Sequence, residues 1–136
     1  MYENKLVLRL LDDTFSVCRL SPDAALPSWA DGKELFAFIR TQDELSLVCK
    51  TGCVPQGIRA EHDFCAIKVK GPLDFSLTGI LVSIAIPLAD AGISIFTLST
   101  YDTDYILIRQ KKLAHVIEAL KRAGHRLDGA NWYHPA

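Results

Sequence analysis

An α+β fold follows from three features of this 136-residue sequence. Its second half orders its apolar patterns as strand, helix, strand, strand, helix, strand, the split order of a ferredoxin-like sandwich. Its first half is built from short alternating runs separated by turn residues, with one weak helical segment. Its composition, 49% hydrophobic and 23% charged, is that of an ordinary globular chain long enough to bury a core without staples. The expected arrangement is antiparallel sheet with the helices on one face.

Lys5 to Leu11 reads as a strand, Asp12-Asp13 as a bend, and Thr14 to Leu20 as a second strand or an extension of the first. Pro27 limits Ala24 to Ala30 to a turn or two of helix, with Trp29 as packing. Leu35 to Arg40 and Leu45 to Lys50 form a hairpin around the polar tip Thr41-Gln42-Asp43-Glu44. Thr51 to Asp63 carries Gly52, Pro55 and Gly57 and reads as a connection. This half is compatible with a worn version of the second, and no sequence repeat marks a duplication.

Phe64 to Lys70 alternates as a strand ended by Gly71-Pro72. Gly79 to Ala91 is a helix whose stripe is Ile80, Ile84, Leu88 and Ala91. Ser76 or Thr78 is placed to cap it, Pro87 removes one internal bond, and Gly92 supplies the left-handed stop. Ile93 to Thr100 and Tyr105 to Arg109 are antiparallel neighbours across a four-residue connection. Lys111 to Ala123 is the second helix, with Leu113, Val116, Ile117 and Leu120 inward and Gly124 closing it. His125 to Leu127 is a short last strand, and the tail 128–136 has no assigned place.

Several function classes are disfavoured. A net charge of -1 without like-charge blocks argues against nucleic acid and acidic membranes as partners. The longest apolar candidate for a membrane span, Ile80 to Ile86, is seven residues. Glu3 and Lys5 open a short alternating run unlike a signal peptide, so the expected location is cytoplasmic, with reduced cysteines. Cys18, Cys49 and Cys65 sit in apolar runs as core residues. Cys49, Cys53, His62 and Cys65 match no zinc spacing, and no metal or other cofactor is expected. No nucleophile elbow or phosphate loop is present, and none of His62, His115, His125 and His134 adjoins a serine or cysteine in a nucleophile pattern. The chain reads as a binding module, not an enzyme.

Asp74-Phe75-Ser76-Leu77-Thr78-Gly79-Ile80-Leu81, at the helix start, and Leu88-Ala89-Asp90-Ala91-Gly92-Ile93-Ser94-Ile95, at its end, resemble the signature and junction of the ACT domain. A small stand-alone ACT subfamily is more similar still, through residues 71–80, Ser99-Thr100-Tyr101-Asp102-Thr103-Asp104-Tyr105, residues 41–46 and Val54-Pro55. The resemblance implies two tandem ACT-type units: a degenerate, strand-rich one over 1–60, a second over 61–130, and a tail at 131–136. It implies a regulatory role, a free amino acid as ligand at an interface between such units, a homodimer and a regulated protein partner.

By position, the resemblance carries Thr78, Gly79, Ile80 and Leu81 onto one wall of the ligand site and Thr100, Tyr101, Thr103 and Asp104 onto the other. The acidic residue that the arginine-sensing branch carries just before the helix falls here on Leu77, which favours a neutral or aromatic amino acid over arginine. Physical chemistry agrees with the pairing. Free amides at a helix start suit a carboxylate, and Asp104 suits an ammonium. Asp102 and Asp104 can equally be plain turn residues, and Thr41, Asp43 and Glu44 a solvated hairpin tip.

Overall fold

The computed structural model describes residues 5–71, 73 and 78–133. The chain divides into two compact units, residues 13–64 and residues 1–12 with 65–136. The first twelve residues, grouped by the sequence with the first unit, belong to the second. Strand β1 (Val7–Leu20) runs through the Asp12-Asp13 pair without a break.

The unit of residues 13–64 is strand-rich, and its described residues contain no α-helix. Strands β2 (Ala37–Arg40) and β3 (Leu45–Lys50) form the expected antiparallel hairpin, and β3 pairs antiparallel with the second half of β1. Strand β4 (Ala60–Val69) starts four residues earlier than its alternation indicates. A 3₁₀ turn at Thr51–Cys53 occupies the connection before it. Cys18, Leu45, Leu47 and Cys49 form the core, with Trp29 packed against them as a structural residue. The hairpin tip is self-contained: the Thr41 hydroxyl accepts from the Asp43 and Glu44 amides, and Thr41 N–H donates to Glu44 C=O.

The second unit is ferredoxin-like. Helix α1 (Ile80–Asp90), β5 (Phe96–Ser99), β6 (Asp104–Arg109), helix α2 (Leu113–Arg122) and β7 (Arg126–Asp128) follow β4 in the predicted order. Within this unit the strands are ordered β7-β1-β4-β6-β5. The first half of β1 thus lies between β7 and β4, and β7 runs parallel to it. A four-stranded, wholly antiparallel sheet from residues 61–130 alone is therefore corrected to five strands. The cause is the continuity of β1, whose Val7 carbonyl accepts from Lys70 N–H at 2.9 Å.

Both helices bury their stripes in one core with Leu8, Leu10, Ile67, Ile106 and Ile108. On α1 the buried residues are Ile80, Ser83, Ile84 and Leu88; Ala91, expected in the stripe, is the exposed C-cap. Gly92 (φ 74°) closes the helix in a Schellman motif, with Gly92 N–H on Ala89 C=O and Ile93 N–H on Leu88 C=O. Pro87 has no N–H for the Ser83 carbonyl. Buried His125 replaces it, with Nε2 2.8 Å from that carbonyl, while His125 Nδ1 accepts from Leu6 N–H at 3.1 Å. These partners require the neutral tautomer protonated at Nε2. The tail also has a place: a 3₁₀ turn at Ala130–Trp132 seats a buried Trp132, whose Nε1 donates to Leu8 C=O and Asp128 C=O.

Candidate functional site

The candidate site lies where α1 begins. Gly79 is the N-cap, in the left-handed region at φ 76°, and as a glycine it brings no capping side chain of its own. Glycine reaches that conformation without the strain a Cβ brings. The first i→i−4 bond is Ser83 N–H to Gly79 C=O, so the amides of Ile80, Leu81 and Val82 precede the helical ladder. Gly79, and not the expected Thr78, occupies the N-cap position, with exposed Thr78 one residue before it; Ser76 and Leu77 lie outside the described residues.

The opposite wall is the β5–β6 connection. Thr100 N–H donates to Thr103 C=O at 2.8 Å, and the Thr100 hydroxyl both donates to that carbonyl and accepts from Thr103 N–H. The buried Thr103 hydroxyl donates to Val69 C=O at 2.6 Å, and Leu73 N–H donates to Asp102 C=O at 2.8 Å. These bonds tie the turn to the end of β4. Both threonine hydroxyls are thereby committed to shaping the wall. A Cβ on Gly71 would sit 3.1 Å from Asp102 O and 3.3 Å from Thr103 Cβ, a tight fit that a neighbour would have to relieve by a few tenths of an ångström.

The two walls flank an open cavity of about 310 Å³. It is lined by Leu73, Gly79, Ile80, Leu81 and the turn from Ser99 to Asp104. Of the eight residues carried over by position, seven line it: Gly79, Ile80, Leu81, Thr100, Tyr101, Thr103 and Asp104. Thr78 stands beside it in sequence and is not among the lining residues. Leu73, Ser99 and Asp102 are additions. The four-residue loop makes Ser99 the register partner of Asp104, and that spacing is the signal that could have found it. Ser99 Oγ donates to Asp104 Oδ1 at 2.6 Å.

Chemically the cavity is polarised. Leu73, Ile80 and Leu81 supply apolar wall, and the Tyr101 ring, 84% exposed, stands at its rim. The helix start offers amide donors and a partial positive charge. Asp102 and Asp104 supply negative charge, and among the described residues the lining holds no lysine, arginine or histidine. The arrangement can hold an anion at one end and a cation at the other.

Groups able to do covalent chemistry are differently placed. Burial pushes the Cys49 thiol up to about 12 and Cys65 to about 11, and Cys18 is raised by burial against a smaller lowering from a Cys49 hydrogen bond. Ser16 and His62 form a pair at 2.8 Å that sequence spacing does not reveal, since β1 and β4 bring them together. Ser16 is fully buried and also bonds Thr51, so it packs as a satisfied core hydroxyl.

The second unit is thus a compact α+β domain whose helix start and acidic turn line one cleft, the geometry of a small-ligand-binding domain. Comparison with known proteins gives the family. The ACT-domain model matches residues 59–122, and a second model, describing an N-terminal domain, matches residues 13–57. A crystal structure of an Agobacterium tumefaciens protein is 38% identical, with a TM-score of 0.87, covering 92% of this chain and 93% of that one. The Bos taurus cytosolic arginine sensor for mTORC1 subunit 1 is 46% identical over 58 residues, 43% of this chain and 17% of the sensor. The match therefore spans about a sixth of that relative's length. Aspartokinase α and β subunits share the fold at a TM-score of 0.61 and 15% identity, covering 88% of this chain and 98% of theirs. This chain belongs to the ACT-domain proteins.

Proposed function

We propose that this chain is a regulatory module that binds a free amino acid in the cavity at the start of α1. One observation carries the reading: the helix start and the Asp104 carboxylate line the same cavity of about 310 Å³. The α-carboxylate sits on the α1 amides, the α-ammonium on Asp104, and the side chain against Leu73, Ile80, Leu81 and Tyr101. That wall favours a neutral or aromatic side chain. The module acts without catalysis, as a homodimer in the cytosol, by conveying occupancy to a protein partner. The likeness to a sensor and to regulatory ACT domains supports this role.

Isothermal titration with the twenty amino acids, on protein stripped by unfolding and refolding, tests the reading. Saturable binding of a neutral or aromatic amino acid is expected, weakened about 100-fold in Asp104→Ala, since a lost charge-assisted contact is worth about 2–3 kcal/mol. Aspartate and glutamate bind at least about 10-fold more weakly, because the lining adds two carboxylates and no cation. Silence across the panel overturns the reading. Exposed Phe38 and Ile39, on edge strand β2, favour a second one, a protein-contact module. That reading predicts silence together with an oligomer that Phe38→Lys dissociates.

A further inference from the structure

We propose that Ser99 is a positioning residue for the cation end of this site: its hydroxyl holds the Asp104 carboxylate in place for a ligand ammonium. The inference rests on the amino-acid-binding reading and names a residue that reading does not use.

The backbone of Asp104 is fixed independently of its carboxylate. It is the first residue of β6, and the turn before it is braced by Thr100 N–H on Thr103 C=O and the Thr103 hydroxyl on Val69 C=O. Those bonds leave the Asp104 side-chain torsions unset. Ser99 sets them. As the last residue of β5 it stands directly across from Asp104 in the antiparallel register, and its Oγ donates to Oδ1 at 2.6 Å. A distance that short marks a charge-assisted bond. Among the described residues no lysine or arginine forms an ion pair with Asp104, so the hydroxyl is what orients it. Each Asp104 oxygen can accept more than one donor, so Oδ2 stays available to a cation within the cavity that both residues line.

Orientation before binding matters because a ligand otherwise has to immobilise the carboxylate itself, at a cost to affinity. Ser99→Ala removes the hydroxyl at an exposed strand end and leaves the cavity's shape and charge intact. Ser99→Thr keeps the hydroxyl on a side chain well suited to a strand.

The experiment is titration of wild type, Ser99→Ala, Ser99→Thr, Asp104→Ala and the Ser99→Ala/Asp104→Ala double variant with the twenty amino acids. L-Leucine and L-phenylalanine are paired with their deaminated acids, 4-methylpentanoate and 3-phenylpropanoate. Thermal melting accompanies each variant. The expected result is about a 10-fold loss of amino-acid affinity in Ser99→Ala, recovery in Ser99→Thr, and no further loss in the double variant beyond Asp104→Ala. The deaminated acids bind wild type and Ser99→Ala alike. Ser99→Ala binding as wild type overturns the positioning role and leaves the amino-acid reading standing. Equal weakening of the deaminated acids, or a large drop in melting temperature, assigns Ser99 a structural role and also overturns it. No binding by wild type removes the underlying reading, and this inference with it.

Discussion

Cys18, Cys49 and Cys65 are buried, and the cost of placing a thiolate there raises the Cys49 thiol to about 12 and Cys65 to about 11 from an ordinary 9.0. Two outcomes follow. At pH 7.5 iodoacetamide alkylates half-buried Cys53 first, and the other three react at least about 100-fold more slowly than in the unfolded chain, measured by mass spectrometry. Stability also falls on alkaline titration. The unfolded chain releases these protons near pH 9 and the folded chain only near 11 to 12, so the contribution is complete below pH 9 and disappears as pH rises through that window. Urea midpoints from pH 8 to 11 measure it. The core role of these cysteines was legible from their apolar neighbours. The Ser99–Asp104 bond was not, because a serine at a strand end looks like turn chemistry until the register sets it opposite a carboxylate.

At the scale of an element, α1 shows why patterning locates a helix better than it describes the ends. The 3.6-residue stripe and Gly92 place the body and the stop. The start falls within one residue of its expected place, but the cap position is taken by Gly79 at φ 76°, backbone geometry that a search for a capping hydroxyl does not find. Pro87 was visible as a lost bond, but its replacement by His125, distant in sequence, was not. This pairing is open to a double-mutant cycle. His125→Phe leaves Leu6 N–H and Ser83 C=O without their partner and costs about 2 kcal/mol. In a Pro87→Ala background residue 87 regains an N–H for the Ser83 carbonyl, so the same His125 change costs about 1 kcal/mol less. Urea denaturation of the four proteins measures both values. Equal costs in the two backgrounds refute the replacement.

At the scale of the whole molecule, the unit that carries the cavity is discontinuous in sequence. Asp12-Asp13 carries turn chemistry and leaves a second strand and an extension of the first both open; β1 is the extension, since within a strand two aspartates can simply face solvent or a bond. Trp132 escaped because two adjacent aromatics in a polar tail show no period. Both features bear on one experiment. Residues 61–130, the span that the resemblance implies for the second unit, lack the β1 strand that lies between β4 and β7. They also lack Trp132, which fills the core and donates to Leu8 C=O. Deleting a buried tryptophan alone costs about 3–5 kcal/mol, a large part of the stability of a domain this size. The fragment 61–130 is therefore expected to stay unfolded by circular dichroism. A chain joining residues 5–12 to 65–133 through a short glycine-rich loop is expected to unfold cooperatively in urea, because Lys70 N–H on Val7 C=O makes β1 and β4 neighbours in that unit. Cooperative unfolding of 61–130 by itself would show that β1 and the tryptophan decorate a domain complete without them.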